Sequence, residues 1–231
     1  MSDLLNRRAM MGTLGAAALA ASASAQDTTA KGDLVVLGVA CSPRMGKSTA
    51  TAVQAALAAA EGFHSRIRGK LIDLGGMTVS GWVGGAKPDQ PAEVNDDFAK
   101  LLGDLKDPRV AGVIIGSPVY FRSMSALCKA FLERLAALRS PKLLWANKPL
   151  GALAVGGFRH GGQELVVEQI QTAMLCQEML IVGGKPKAHQ GATLWNSQDD
   201  DITKDELGMD TARKLGMHVA EVALEQARPK A

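Results

Sequence analysis

Cysteine is scarce in this chain, and its scarcity limits the redox and metal chemistry to be expected. The 231 residues include three cysteines, Cys41, Cys128 and Cys176, an odd number with no close pair. A disulfide framework needs paired cysteines and a thiolate metal site needs clustered ones, so we predict neither, and no metal ligands. We interpret Cys128 and Cys176 as small buried hydrophobic residues on helices. Cys41 directly follows the apolar run that ends at Ala40, and a redox role there is the alternative to a structural one.

Aromatic residues and an excess of one charge are also lacking. Aromatics make up 4% of the chain, and 26 basic residues stand against 23 acidic ones, for a formal net charge of +3. A nucleic-acid-binding protein concentrates basic side chains on one surface, so we do not expect nucleic acid as a partner. An apolar fraction of 47% over this length suffices for one α/β domain with a full core.

The N-terminal region has no apolar run long enough for a stable membrane span. Arg7-Arg8 precedes the mildly apolar, alanine-rich residues 9–23, and Ala23-Ser24-Ala25 fits a small-residue cleavage site. This pattern resembles a twin-arginine export signal. Ordinary unfolded secretion, and a disordered or helical N-terminus with no signal, are the alternatives. We predict a periplasmic or secreted protein with three segments: an export signal peptide at 1–25, a linker at 26–32 and one domain at 33–231.

Apolar runs alternate with helical patterns through the rest of the chain. Asp33–Ala40 is continuously apolar, which is typical of a strand covered on both faces in a parallel sheet. Further strands are predicted at 70–74, 110–116, 149–155 and 179–182, and helices after each, the last two at 163–177 and 203–226. Ser123 is predicted to cap the third helix. Right-handed crossovers then give a doubly wound, three-layer α/β sandwich with a five-stranded parallel sheet of order 2-1-3-4-5.

Three loops follow strands at the carboxyl edge of this sheet, where such folds bind ligands. In the stretch Leu37–Ala50 a strand runs into a turn and then a helix, whose first N–H groups and dipole attract an anion. Ser42, Ser48 and Thr49 add hydroxyl donors there. The other two loops, 117–122 and 156–162, face the same crevice. The arrangement favours a phosphate in the first loop and a flat ring between the other two.

Gly46-Lys47-Ser48 also matches the end of a nucleotide-binding P-loop. The match fails at its start, because Cys41 stands where the first glycine belongs and Pro43-Arg44 interrupts the backbone nest. The later strands offer no terminal aspartate for magnesium. A P-loop nucleotide hydrolase is therefore a remote alternative.

Three motifs carry a resemblance to a known family: Ser42 to Thr49, Gly116 to Phe131, and Gly161 to Glu164. In order and spacing they resemble the flavodoxin-like FMN reductase superfamily. Its iron–sulfur flavoproteins and its NAD(P)H:quinone oxidoreductases of the tryptophan-repressor-binding-protein type are the most similar branches. The resemblance runs from Asp33 to the last helix, and it implies a flavodoxin-like fold with bound FMN.

The resemblance also implies roles for individual residues. The FMN phosphate would be held by Ser42, Arg44, Lys47, Ser48 and Thr49. The pyrimidine edge of the flavin would be followed by Pro118, Val119, Tyr120, Phe121, Arg122 and Ser123, and the other side closed by Gly157, Phe158, Arg159 and Gly161. Tyr120 is able to stack on the ring. His160 would lie near the exposed ring as a catalytic residue with Tyr120, and the alternative is a loop histidine that only bonds backbone.

These roles predict an FMN-dependent oxidoreductase that reduces a quinone or similar flat acceptor, with NAD(P)H as a possible donor. A non-catalytic electron carrier with a redox protein partner is the alternative. Relatives often form dimers or tetramers, so a homo-oligomer is expected by analogy. One departure stands out: the iron–sulfur branch carries a cysteine cluster after its second strand, whereas Gly75–Pro91 contains no cysteine here, so a cluster has no usual ligands.

Overall fold

The computed structural model describes residues 33–82, 95–197 and 199–228, so the predicted signal and linker lie outside the described residues. The strands are β1 (Leu34–Ala40), β2 (Ile67–Asp73), β3 (Val110–Tyr120), β4 (Ser123–Met124), β5 (Pro149–Gly156), β6 (Leu180–Ile181) and β7 (Ala192–Trp195). The helices are α1 (Ser48–Phe63), α2 (Phe98–Leu105), α3 (Ala126–Arg134), α4 (Gln163–Leu175) and α5 (Glu206–Gln226), with 3-10 turns at Leu135–Leu138 and Ile202–Lys204. Among the described helices, none has the length and apolar character needed to cross a membrane.

The main sheet is parallel, and its strand order confirms the prediction. β2, β1, β3 and β5 lie side by side, and the edge position beyond β5 is shared by β6 and β7. β6 pairs with Pro149 and Leu150, whereas β7 pairs with residues 153–156. The predicted fifth strand is therefore shorter than expected, because the chain leaves the sheet after Ile181. Pro186, in this detour, has no N–H to donate to a strand ladder.

Two helical layers enclose the sheet and complete the predicted sandwich. α1 and α5 pack on one face, in a cluster that includes Val53, Leu57 and Leu215. α2, α3 and α4 cover the other face, with Phe98 and Phe131 buried against the strands. α1 and α5 approach closely, since a Cβ built on Gly216 of α5 would lie 1.9 Å from the carbonyl oxygen of Ala56.

The second predicted loop and the predicted helix cap after it were wrong in detail. β3 continues to Tyr120 and turns back through Phe121 and Arg122, whose φ angles of 50° and 61° suit a tight hairpin. Ser123 then pairs with Tyr120 as part of β4 and does not cap a helix. Ser125 caps α3 instead, since its Oγ accepts the N–H of Cys128 at 3.0 Å. The hairpin shifts the helix start because it keeps two further residues in extended backbone.

The cysteines divide into two buried and one exposed. Cys176, predicted to be buried, is exposed just beyond the last residue of α4, so this interpretation was wrong. Cys41 and Cys128 are fully buried. Burial, together with the neighbouring Cys128 thiol, raises the pKa of Cys41 well above its ordinary value. Cys41 therefore stays a neutral thiol at physiological pH, which disfavours a redox role through its thiolate.

Candidate functional site

A cleft of about 510 Å³ opens at the carboxyl ends of β1, β3 and β5. It is lined by Arg44, Ser48, Pro118, Val119, Tyr120, Phe121, Arg122, Val155, Gly156, Gly157, Phe158, Gly161 and Asn196. The three loops singled out from the sequence thus meet at one site. The segment after β7 supplies a fourth wall through Asn196.

The first loop, residues 42–47, is shaped by the end of β2. Both carboxylate oxygens of Asp73 accept backbone N–H groups, from Gly46 at 2.7 Å and from Gly75 at 2.9 Å. A Cβ on Gly75 would lie 2.2 Å from the Cα of Met45, so the two backbones touch. α1 then begins at Ser48 with no side-chain cap on its free N–H groups. The loop therefore leaves the first N–H groups of α1 without a side-chain cap, as anion binding at a helix start requires.

The carboxylate of Asp200 contacts both basic residues of this loop, Arg44 and Lys47. Arg44 Nη1 contacts both oxygens of Asp200 at 3.0 Å, and Arg44 Nη2 donates to Ser48 Oγ at 3.3 Å. Lys47 Nζ lies 3.7 Å from the same carboxylate. A hydrogen bond from Asn196 at 2.7 Å, and then Arg44, lower the pKa of Asp200. The loop thus has the donors that an oxyanion needs.

The second loop is tied to the first by two buried serines. Ser117 Oγ donates to the carbonyl of Pro118 at 2.8 Å and accepts the N–H of Ser125 at 3.0 Å. Ser125 Oγ donates to the carbonyl of Cys41 at 2.7 Å. Because all of these groups are buried, the start of the phosphate loop and the start of the β3–β4 hairpin are held in fixed register.

The third loop is organised by Gln163, the buried first residue of α4. Gln163 Oε1 accepts the N–H of Gly161 at 2.9 Å, and its Nε2 donates to the carbonyls of Phe158 and Leu194. Trp195 Nε1 also donates to the carbonyl of Gly157, at 3.2 Å. α4 and β7 therefore fix the shape of a loop that would otherwise be free at the cleft mouth.

We expect Gln163→Ala to lower the free energy of unfolding by about 1–3 kcal/mol, because buried backbone groups lose their partners. Chemical denaturation followed by circular dichroism measures it. Gln190→Ala is the matched control, since Gln190 is exposed and bonds only the exposed Glu164 side chain and Gln171. An equal effect of the two substitutions would contradict the role given to Gln163.

Most of the predicted cofactor residues lie in the cleft, but several do not. Ser42 instead accepts the N–H of Arg44 at 3.2 Å, and Thr49 is buried within α1. Ser123 donates to Gln169 at 3.0 Å. Lys47 is exposed beside Asp200, and Arg159 and His160 line a neighbouring cavity. Tyr120 lines the cleft with 42% of its surface exposed. The ligand-binding and catalytic roles of all these residues stay predictions.

Asn196 is a cleft residue that the sequence reasoning missed, because only the pairing of β7 with β5 brings it there. Its Oδ1 is buried and has no hydrogen-bond partner among the described residues, and the same holds for Ser197 Oγ. A buried acceptor without a partner costs free energy unless a ligand donates to it. Asp200 was missed for the same reason.

Comparison with known proteins assigns the family. A sequence profile described as NADPH-dependent FMN reductase matches residues 34–193. The chain belongs to the NADPH-dependent FMN reductase family. Within this family assignment, FMN is the cofactor, and the remote P-loop alternative has no support.

Individual relatives agree with the FMN reductase assignment. The chain is 37% identical over 190 residues to an iron–sulfur flavoprotein of Methanocaldococcus jannaschii, covering 81% of this chain and 96% of that protein. It is 30% identical over 156 residues to a Paracoccus denitrificans protein named NAD(P)H dehydrogenase (quinone), covering 60% and 70%. The WrbA-like flavodoxin structure from Agrobacterium tumefaciens superposes with a TM-score of 0.56 at 16% identity, covering 84% of this chain and 98% of that one. The last likeness confirms the flavodoxin-like fold.

The residues of the cleft fit FMN. Arg44, Ser48 and the start of α1 offer donors to a phosphate, and the partnerless oxygen of Asn196 suits a sugar-chain hydroxyl. Pro118 and Val155 offer apolar surface to a flat ring. An iron–sulfur cluster does not fit, because the three cysteines lie on separate elements and two are buried. Within the described ranges, no group of three or more His, Cys, Asp or Glu residues is placed to hold a metal ion.

Asp200 contacts Arg44 and Lys47, which we predict to bind the FMN phosphate, so we expect Asp200→Asn to raise FMN affinity. Removing the negative charge frees Arg44 and Lys47 and removes repulsion of the phosphate. Fluorescence titration of the apoprotein with FMN and with riboflavin measures the effect, which is confined to FMN because riboflavin has no phosphate. Asp199→Asn is the control, since Asp199 pairs with Lys204 instead. Weaker FMN binding in Asp200→Asn would show that Asp200 orients Arg44.

Proposed function

We propose that this FMN-dependent oxidoreductase reduces a quinone or a similar flat acceptor, and that the purified enzyme accepts NAD(P)H as its electron donor. The observation that carries the proposal is a cleft whose mouth is flanked by two exposed phenyl rings, Phe121 and Phe158. Exposed aromatic side chains beside an open cleft suit a planar molecule that enters, reacts and leaves. The Paracoccus relative named NAD(P)H dehydrogenase (quinone) supports the same substrate class.

The residues of the cleft would bind FMN, orient it and shield part of its ring from water. Arg44, Ser48 and the start of α1 would hold the phosphate, and Asn196 Oδ1 would accept a hydrogen bond from the sugar chain. Pro118 and Val155 would keep water from one part of the ring. When bound, FMN supplies a ring that accepts two electrons from one molecule and delivers them to the next. Overall, the quinone gains a hydride equivalent from NAD(P)H and a proton from solvent.

The purified protein is expected to be yellow, to release FMN on denaturation, and to turn over NADPH with 1,4-naphthoquinone under anaerobic conditions. Turnover is expected to follow ping-pong kinetics, because donor and acceptor use one cleft in succession. Parallel lines in double-reciprocal plots of initial rates test this. A protein that dithionite reduces, but that turns over no quinone with NADPH or NADH, would be an electron carrier instead.

We also infer that the protein is exported already folded around FMN, to the periplasm or beyond. A cofactor held by separate loops binds only after the sheet has formed, and Arg7-Arg8 suits a twin-arginine route that carries folded cargo. Outside the cytoplasm NAD(P)H is expected to be scarce, so a membrane quinol or a redox protein becomes the physiological donor even if the purified enzyme accepts NADPH.

Replacing Arg7 and Arg8 by Lys is expected to leave the flavin-loaded precursor in the cytoplasm. Cell fractionation with flavin fluorescence measures where the loaded protein accumulates. Lys31→Arg, a charge-preserving change in the predicted linker, serves as the control. Mature, flavin-loaded protein outside the cytoplasm in the double variant would contradict folded export.

A further inference from the structure

A second cavity, of about 400 Å³, adjoins the cleft. Arg122 lines both cavities, so they form neighbouring compartments of one opening. The charged and polar walls of the second cavity include Arg122, Arg159, His160, Gln163, Glu164 and Glu168. The second cavity is therefore polar, whereas the cleft is largely apolar.

The two arginines of this second cavity have no protein partner in the part of the chain that the structure describes. Neither Arg122 nor Arg159 makes an ion pair or a side-chain hydrogen bond to a described residue. Among the other described arginines, Arg44, Arg68, Arg109 and Arg134 contact a carboxylate, whereas Arg66, Arg139, Arg213 and Arg228 also lack one, so what distinguishes Arg122 and Arg159 is that they line the same cavity. Two guanidinium groups that line one cavity and pair with no described carboxylate offer donors to an anion supplied from outside.

The Arg159 guanidinium and the Arg122 backbone are each held in position. The Arg159 guanidinium lies over the Trp195 ring, 4.4 Å from its centroid, and Trp195 is itself bonded to Gly157. Arg122 stands in the hairpin turn with a φ of 61°, where its backbone packs against Gly162. A Cβ at Gly162 would lie 3.2 Å from the Cα of Arg122. Positioning of this kind reduces the entropy lost when a ligand binds.

Two carboxylates limit where an anion is able to bind. Glu164 and Glu168 line the second cavity but not the cleft, and Glu164 accepts a hydrogen bond from Gln190 at 3.0 Å. Their charges repel an anion from the α4 side. The favoured position is therefore next to Arg122, which lines both cavities, and Arg159, which like the two glutamates lines only the second cavity, would reach the anion from there.

We propose that Arg122 and Arg159 bind the anionic substituent, a carboxylate or a sulfonate, of a flat acceptor whose ring lies in the main cleft. The proposal rests on the proposed function and narrows its substrate class from flat acceptors to acidic ones. A guanidinium binds such oxyanions through paired hydrogen bonds, and the substituent itself is not consumed in the reaction.

Two non-reacting ligands of the same shape test the binding step. Naphthalene-2-sulfonate carries a charge that naphthalene-2-sulfonamide lacks, and binding of either is followed by the change in the visible spectrum of the bound flavin. The FMN-loaded protein is expected to bind the sulfonate at least tenfold more tightly, and added salt is expected to reduce the preference. Arg122→Gln and Arg159→Gln are each expected to lose most of it, Arg159→Lys to keep part, and Arg213→Gln, outside both cavities, to keep all. Equal affinity for the two ligands in the unaltered protein would overturn the proposal.

Turnover provides the second test and separates the two proposals. The ratio of KM for 1,4-naphthoquinone-2-sulfonate to KM for 1,4-naphthoquinone is expected to rise in both Gln variants, and a ratio cancels any general effect on flavin content. A raised KM for NADPH with an unchanged ratio would overturn the proposal and assign the arginines to the donor's phosphates. Turnover of neither quinone, with the sulfonate preference intact in binding, would defeat the proposed function and leave the anion site supported.

Discussion

Ser125→Ala is expected to lower the free energy of unfolding by about 2–4 kcal/mol, since one hydroxyl caps α3 and also satisfies a buried carbonyl. Its Oγ accepts the N–H of Cys128 at 3.0 Å and donates to the carbonyl of Cys41 at 2.7 Å. Alanine leaves both backbone groups buried without a partner. FMN affinity is expected to fall as well, because the bond to Cys41 fixes the start of the phosphate loop. Urea denaturation of the apoprotein and FMN titration measure the two effects.

Ser123→Ala is the matched control for this prediction. Ser123 is also a serine of the same connection, but it is only partly buried and its hydroxyl bonds the side chain of Gln169. We expect a loss well under half of that for Ser125→Ala. Equal losses would mean that the connection as a whole, and not the link from Ser125 to Cys41, carries the stability.

Gly75→Ala is expected to weaken FMN binding by at least tenfold and riboflavin binding much less. The added Cβ would lie 2.2 Å from the Cα and 2.3 Å from the N of Met45, so backbone must move. No side-chain rotation relieves such a contact, and the displaced segment is the loop that Asp73 holds through Gly46. Because we predict that this loop binds the phosphate of FMN, which riboflavin lacks, the difference between the two affinities reports its displacement.

Gly62→Ala is the control for a glycine substitution that meets no obstacle. A Cβ there has nothing within 4 Å, and the residue lies in the last turn of α1. Alanine favours helix over glycine, so unchanged or slightly increased stability is expected, with unchanged FMN affinity. If Gly75→Ala bound FMN as tightly as Gly62→Ala did, the phosphate loop would not depend on this contact.

The sequence was sufficient for the strand order of the sheet because its central strands β1, β3 and β5 are nearly continuous apolar runs, whereas the mixed pattern of β2 placed that strand at 70–74 and not at Ile67–Asp73. Val110–Gly116 is one of these apolar runs, and right-handed crossovers leave few ways to order such strands. The motifs around Ser42 and Ser117 then located two of the three loops. Hydrophobic patterning and short motifs are properties of local sequence, so they predict the strands and loops that local sequence determines.

Features that depend on distant pairing were not predictable in this way. β3 extends past Gly116 because Ser117 and Pro118 pair with Ala154 and Val155, contacts that no local pattern encodes. The short hairpin that takes β3 on to Tyr120 turns through Phe121 and Arg122, which are not typical residues for positive φ. Asn196 and Asp200 reach the cleft because the chain rejoins the sheet as β7 after its detour. Cys176 is exposed because it follows Leu175 on the outward side of α4, whereas Met174 and Gln177 are buried on the inward side.

The edge of the sheet beyond β5 is shared by β6 and β7, and this arrangement affects when the cleft is completed during synthesis of the protein. β7, which pairs with the end of β5 that leads into the third loop, is followed directly by Asn196 at the cleft wall. α5, which covers α1, comes later still in the chain. A nascent chain that ends before Ala192 therefore has the phosphate loop but lacks one wall of the cleft and half of one helical layer. Flavin capture is consequently expected to be a late event, open only to a chain in which the residues from Ala192 onward, about a sixth of its length, have left the ribosome.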